Sequence, residues 1–103
     1  MKFPIMDSSS NISASKLKPS AEVLSSRIDN EVVLMSSEAG FYYTLDTIGS
    51  CIWDMISENP VTLEEIVDRL IDEYEIDRKA CMEDVRAFID DMVSRKLILP
   101  SEY

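Results

Sequence analysis

Apolar and β-favouring residues in the first half of the chain fall into three short stretches, at 22–28, 32–35 and 41–45. Asp29 and Asn30, between the first two, both tolerate positive φ angles, and Gly40 ends the second gap. Adjacent antiparallel hairpins are the shortest connection for such stretches. We therefore predict a three-stranded antiparallel meander.

From residue 46 onward the apolar positions recur every three or four residues, which is typical of amphipathic helices. Asp46 is the predicted N-cap of a first helix, which should end before Asn59 and Pro60. Trp53 lies off the apolar stripe of this helix. Apolar residues at 97–99 predict an extended piece after the last helix.

Capping signals mark the two remaining helices. Thr62 and Glu65 form a predicted capping box for a second helix over 63–74. Asp77 is the predicted N-cap of a third helix, which should end near Arg95. The predicted fold is α+β: a three-stranded antiparallel sheet followed by three helices, similar to a winged helix-turn-helix.

A chain of 103 residues with 46% apolar side chains has room for one hydrophobic core. Residues 1–20 contain six serines, two prolines and three lysines against one acidic residue, a composition typical of flexible segments. We therefore predict a flexible Ser-rich tail at 1–20 and a folded domain at 21–103.

The charge balance and the missing residue types exclude several function classes. Twenty acidic against ten basic residues give a net charge of −10, which disfavours nucleic acids and anionic membranes. The chain has no histidine, so the usual general base and metal ligand are missing, and two glycines are too few for a phosphate-binding loop. We predict no catalytic residue, no metal and no cofactor. Without a long apolar run or a signal peptide, we expect a cytoplasmic protein.

The predicted order of elements also describes a DNA-binding regulator, in which one helix enters the major groove. The third helix, however, carries four acidic residues that would repel phosphates: Glu83, Asp84, Asp90 and Asp91. A DNA-binding regulator and a small protein–protein adaptor remain the alternatives from other classes.

An outer strand with no Lys or Pro, next to an amphipathic helix, is a combination that captures extended peptides. Alternation places Phe41, Tyr43 and Leu45 on one face of the third strand, and Tyr42 and Thr44 on the other. The pattern leaves open which of the two sets faces a peptide groove.

Several segments resemble the PqqD family when they are taken in order. They are G-F-Y-Y-T-L-D at 40–46, the apolar stretch around Trp53, T-L-E-E-I at 62–66, and D-V at 84–85 followed by F-I at 88–89 and L-I at 97–98. The resemblance covers about residues 17–99. Asp46 stands where the family often has Asn, and Lys96 where it often has Gly.

The resemblance implies a RiPP recognition element, a non-catalytic domain that binds the leader of a ribosomally made precursor as an added strand on the third strand, beside the third helix. The residues that it nominates for peptide binding are Phe41, Tyr42, Tyr43, Thr44, Asp84, Val85, Phe88, Ile89, Asp91 and Met92. We expect Asp84 and Asp91 to steer a basic leader. The expected partners are a leader peptidase and a macrolactam synthetase of lasso-peptide biosynthesis, or alternatively the radical SAM enzyme of the PQQ pathway.

Overall fold

The computed structural model describes residues 15–37 and 40–101. In chain order the elements are β1 (Lys16–Pro19), β2 (Val23–Ile28), β3 (Glu31–Ser36), β4 (Phe41–Thr44), α1 (Thr47–Glu58), β5 (Val61–Thr62), α2 (Leu63–Tyr74), α3 (Arg78–Ser94) and β6 (Ile98–Ser101). The strands form two antiparallel sheets, in the orders β2-β3-β4 and β5-β1-β6. The α+β class is confirmed.

The β2-β3-β4 sheet is the predicted meander. β2 turns into β3 through Asp29, whose φ of 59° is left-handed, and β3 connects to β4 through Gly40, with a φ of 74°. Both residues belong to the types that adopt this backbone region most readily. The turn residues therefore have the conformations that the sequence predicts for them.

The three helices begin at the predicted caps. The Asp46 side chain accepts a hydrogen bond from the Gly49 amide at 2.7 Å, and the Asp77 side chain accepts one from the Ala80 amide at 3.0 Å. Thr62 and the third residue of α2 exchange both hydrogen bonds of a capping box. The ends of the helices agree with the predictions to within one residue.

The predicted boundary of the tail is wrong at its C-terminal end. β1 pairs with β5 on one side and with β6 on the other, and the Leu17 side chain is completely buried. Lys16 and Lys18 are exposed on either side of Leu17, which is the alternation of a β-strand. The strand is too short, and its surroundings too rich in serine, for this alternation to be recognised in the sequence. The folded domain therefore includes residues 16–20, and the rest of the predicted tail, 1–14, lies outside the described residues.

The core lies between the helices and the inner face of β3. Its buried apolar residues include Leu34, Ile52, Ile66, Leu70 and Ile89. Trp53, which lies off the predicted stripe of α1, is also buried. About half of the residues of α1 are buried, so this helix is covered on more than one side.

Ser50, buried in α1, connects three elements. Its Oγ accepts a hydrogen bond from the Val32 amide at 2.8 Å and donates to the carbonyl oxygen of Leu45 at 3.3 Å. The first contact holds the start of β3 and the second holds the chain directly after β4. Ser50 therefore helps to position the strand on which the candidate site depends.

Candidate peptide-binding site

β4 forms the outer edge of its sheet, because β3 is the only strand that pairs with it among the described residues. Leu45, the next residue, donates its amide to the carbonyl oxygen of Val32 at 2.8 Å. In an antiparallel ladder the residues alternate between pointing their N–H and C=O groups at the neighbouring strand and pointing them away. Tyr43 therefore has the same phase as Leu45 and bonds to β3, whereas Tyr42 and Thr44 direct their backbone groups toward the open edge.

The side chains of β4 separate into two environments. Phe41 and Tyr43 are half-buried and belong to the partly buried residues packed against the core. Tyr42 is 72% exposed and Thr44 is exposed on the opposite face. The structure thus decides what the alternation left open: the face of Phe41 and Tyr43 points toward the helices.

Tyr43 connects β4 to α3 through a cluster of three side chains. Its hydroxyl donates to Oδ2 of Asp91 at 2.8 Å, and Nε of Arg95 contacts both carboxylate oxygens of Asp91 at 3.2 and 3.1 Å. The Arg95 guanidinium also lies over the Tyr43 ring, 4.9 Å from its centroid, within cation–π range. We call these residues the Tyr43–Asp91–Arg95 cluster.

The hydrogen bonds in the cluster fix the charges of its members. The hydrogen bond from Tyr43 is the main cause that holds the pKa of Asp91 below its ordinary value, and Arg95 adds to the effect. The same hydrogen bond is the main cause that raises the pKa of Tyr43. At neutral pH Asp91 is therefore an anion, Tyr43 is neutral, and the charge of Asp91 is balanced by Arg95.

Beyond the C-terminal end of β4 lies an open cavity of about 310 Å³ between the first turn of α1 and the side of α3. Ile48 and Phe88 contribute apolar surface to its lining, and Asp46 and Asp84 contribute carboxylates. The Phe88 ring lies so close to α1 that a Cβ at Gly49 would be 3.3 Å from a ring carbon. Glycine at this position therefore allows Phe88 to approach α1 closely.

Seven of the ten nominated residues lie on β4 or along one exposed side of α3. Phe41, Tyr42, Tyr43 and Thr44 lie on the edge strand, and Asp84, Phe88 and Asp91 follow one side of α3. We call the surface between β4 and this side of α3 the β4–α3 groove. Asp91 contacts Tyr43, and Asp84 and Phe88 line the adjoining cavity.

The other three nominated residues are buried. Val85, Ile89 and Met92 have exposures of 3%, 0% and 0% and form the stripe of α3 that packs against the rest of the domain. Val85 also contributes to the lining of the cavity beside Asp84 and Phe88. Burial argues against direct contact of Ile89 and Met92 with a peptide, and the set of site residues stays a prediction.

Arg95 is not among the residues nominated from the sequence, although a signal for its position is present. Asp84, Phe88, Asp91 and Arg95 are spaced by four, three and four residues, which places them on one face of a helix. From the sequence, Arg95 was predicted only to lie at the end of the third helix. Its contact with Tyr43 depends on tertiary structure, since the two residues are far apart in the chain.

An open strand edge beside a helix is a combination that captures extended peptides in other proteins, and this small α+β domain has both features. Residues 31–98 match the family model of coenzyme PQQ synthesis protein D, PqqD. Because the match covers more than half of the chain, the protein belongs to the PqqD family. A comparison with curated proteins gave no match.

Two solved structures share the fold. The first, TbiB1 in complex with the TbiA(beta) leader peptide, is 37% identical, with a TM-score of 0.76 over 84% of this chain and 99% of that one. The second, a lasso peptide synthetase B1 complexed with the leader peptide, is 20% identical, with a TM-score of 0.74 over 84% of this chain and 100% of that one. The second likeness concerns the fold alone.

Within residues 15–37 and 40–101, no helix combines the length and the apolar character needed to cross a bilayer.

Proposed function

We propose that this protein binds the leader of a ribosomally made precursor peptide in lasso-peptide biosynthesis, and that the leader adds to the open edge of β4 as a fourth strand. The observation that carries the proposal is the phase of the β4 ladder, which directs the backbone groups of Tyr42 and Thr44 away from β3. The structure of the 37% identical relative contains a bound leader peptide, which supports leader binding by this protein.

The backbone of β4 supplies attachment that does not depend on the leader's sequence. Tyr42 and Thr44 offer two amides and two carbonyl groups, and each hydrogen bond is worth about 0.5–1.5 kcal/mol net. Side chains on the inner face of the added strand would contact Tyr43 and Phe88, and these contacts would select the sequence. Asp84 and Asp91 were both predicted to steer a basic leader. Asp84 is an exposed carboxylate beside the cavity and keeps this role in the proposal, whereas Asp91 is paired with Arg95 and Tyr43.

We assign the protein no catalytic step: it presents the leader to a leader peptidase and a macrolactam synthetase. The alternative partner is the radical SAM enzyme of the PQQ pathway, as the name of the family indicates. The leader-peptide complex of the 37% identical relative supports leader recognition, and within this proposal lasso-peptide biosynthesis stays the first choice of pathway. Since precursors of this kind are made by ribosomes, we place the protein in the cytoplasm.

The first prediction concerns the open edge of β4. Thr44→Pro removes an amide that faces this edge and leaves the ladder with β3 intact, because proline is tolerated where the N–H of an edge strand faces solvent. We expect affinity for a fluorescein-labelled TbiA(beta) leader peptide to fall about two- to twelvefold, the loss of one such hydrogen bond, measured by fluorescence anisotropy.

The matched control is Ser25→Pro, at the opposite edge of the sheet. The β3 residues that bond to β4 alternate with those that bond to β2, so the Ser25 amide faces the outer edge of β2. This variant should bind the leader like the wild type. If Thr44→Pro has a wild-type circular dichroism spectrum and wild-type affinity, strand addition at β4 is wrong.

A further inference from the structure

In the Tyr43–Asp91–Arg95 cluster, the Arg95 guanidinium has N–H donors that the contact with Asp91 does not use. Asp91 accepts from the Tyr43 hydroxyl and from Nε of Arg95, so both of its oxygens are engaged. A guanidinium carries five N–H donors, and the contact with Asp91 uses the one on Nε. The N–H groups on the two Nη atoms of Arg95 do not contact Asp91, so another acceptor can bond to them. The Arg95 side chain is 46% exposed.

Arg95 also lies where an added strand would pass. Residues directly opposite each other in an antiparallel pair share one face of the sheet. A leader residue opposite Tyr43 would therefore point its side chain toward the Tyr43 ring and the guanidinium above it. The chemistry that matches a planar pair of N–H donors is a carboxylate, which accepts two parallel hydrogen bonds.

We propose that Arg95 is a specificity-determining residue that selects an acidic leader side chain opposite Tyr43. This inference rests on the proposed strand addition and adds the chemical identity of one leader position. A basic side chain at the same position would meet the positive charge of Arg95 directly, while Asp91 is already bonded to Tyr43 and Arg95. Arg95 thus distinguishes the two signs of charge.

The other end of the β4–α3 groove has the opposite charge, because Asp46 and Asp84 line the cavity there. At about 1.5 Å per residue of helix, Asp84 and Arg95 are about 16 Å apart along α3. Asp84 lies toward the C-terminal end of β4, beside the cavity. In an antiparallel leader, a basic residue facing Asp84 would therefore precede the acidic residue.

Charge reversal tests this assignment. The probes are TbiA(beta) leader peptides in which Glu or Lys replaces one residue at a time, with binding followed by fluorescence anisotropy. At one position the wild type should prefer Glu over Lys by up to about fivefold, the upper end of the range for a half-exposed ion pair. Arg95→Glu should reverse this preference, and Arg95→Gln, which keeps a neutral side chain beside Asp91, should abolish it.

Arg27→Glu is the matched control, since Arg27 has a similar exposure and also pairs with an aspartate, Asp54, but lies on β2 at the far edge of the sheet. It should leave every peptide preference unchanged. If the wild type binds the peptides and neither Arg95 variant alters the charge preference at any position, the role of Arg95 is wrong and strand addition still stands. If the wild type binds none of the peptides, the proposed function fails, and this inference fails with it.

Discussion

At the scale of single residues, Lys96 is held in an unfavourable backbone conformation. Its φ is 63°, in the left-handed region, at the point where the chain leaves α3. The amides of Lys96 and Leu97 donate to the carbonyl oxygens of Val93 and Met92, both at 2.9 Å, and these bonds form a Schellman-type helix end. Glycine is the residue that favours this position, which explains why the family often has glycine where this chain has lysine.

Lys96→Gly should therefore stabilise the protein. The left-handed region costs a residue with a Cβ about 1–2 kcal/mol, partly offset by the greater backbone entropy of glycine in the unfolded chain. We expect the free energy of unfolding in urea to rise by about 0.5–1 kcal/mol. Ala87→Gly, in the middle of α3 and exposed, should lower it by about 1 kcal/mol. A loss of stability in Lys96→Gly would contradict this account of the helix end.

At the scale of elements, the position of β4 depends on the junction with α1. Val32, at the start of β3, would normally donate its amide to the partner strand, but here it donates to the buried Ser50 side chain. The next bond in the same ladder, from the Leu45 amide to the Val32 carbonyl oxygen, is retained. One buried hydroxyl thus fastens the end of the candidate edge strand to the helix that follows it.

Ser50→Ala should destabilise the domain by about 1–3 kcal/mol, because it leaves the Val32 amide buried without its hydrogen-bond partner. The change is measurable as a lower urea midpoint and as faster hydrogen exchange at Val32. Ser57→Ala, at an exposed position of the same helix, should leave both quantities nearly unchanged. Equal effects of the two substitutions would show that the Ser50 hydroxyl has no special role.

At the scale of the whole molecule, three distant parts of the chain meet in the β5-β1-β6 sheet. β1 lies between a strand from the middle of the chain and a strand from near its C-terminal end. Leu17 is the side chain through which β1 enters the core. This small sheet therefore joins segments from the start, the middle and the end of the described chain.

Leu17→Ala should lower the free energy of unfolding by about 2–4 kcal/mol, the usual cost of a cavity at a completely buried leucine. Leu24→Ala is the control, since Leu24 on β2 is 59% exposed and its truncation should have little effect. Urea unfolding followed by circular dichroism measures both. A neutral Leu17→Ala would mean that β1 contributes little to the stability of the domain.

Local signals in the sequence were sufficient for the elements themselves. The caps at Asp46, Thr62 and Asp77 and the turn at Asp29 each depend on residues within four positions of one another, so the sequence alone predicts where most helices and strands begin and end. The open edge of β4 and its aromatic composition were also predictable, because they follow from strand order and residue type.

Tertiary structure decided the rest. β1 becomes a strand because Lys16 and its neighbours pair with Ser101 and the residues before it, across almost the whole chain. The spacing of side chains along α3 is compatible with more than one face packing inward. Packing against the other elements determined that Val85 enters the core and that Asp91 and Arg95 contact Tyr43. Conformational preferences of neighbouring residues specify where a helix or strand forms. Which of its faces packs inward depends on contacts with residues that are remote in sequence. The candidate peptide site is made of contacts of this second kind.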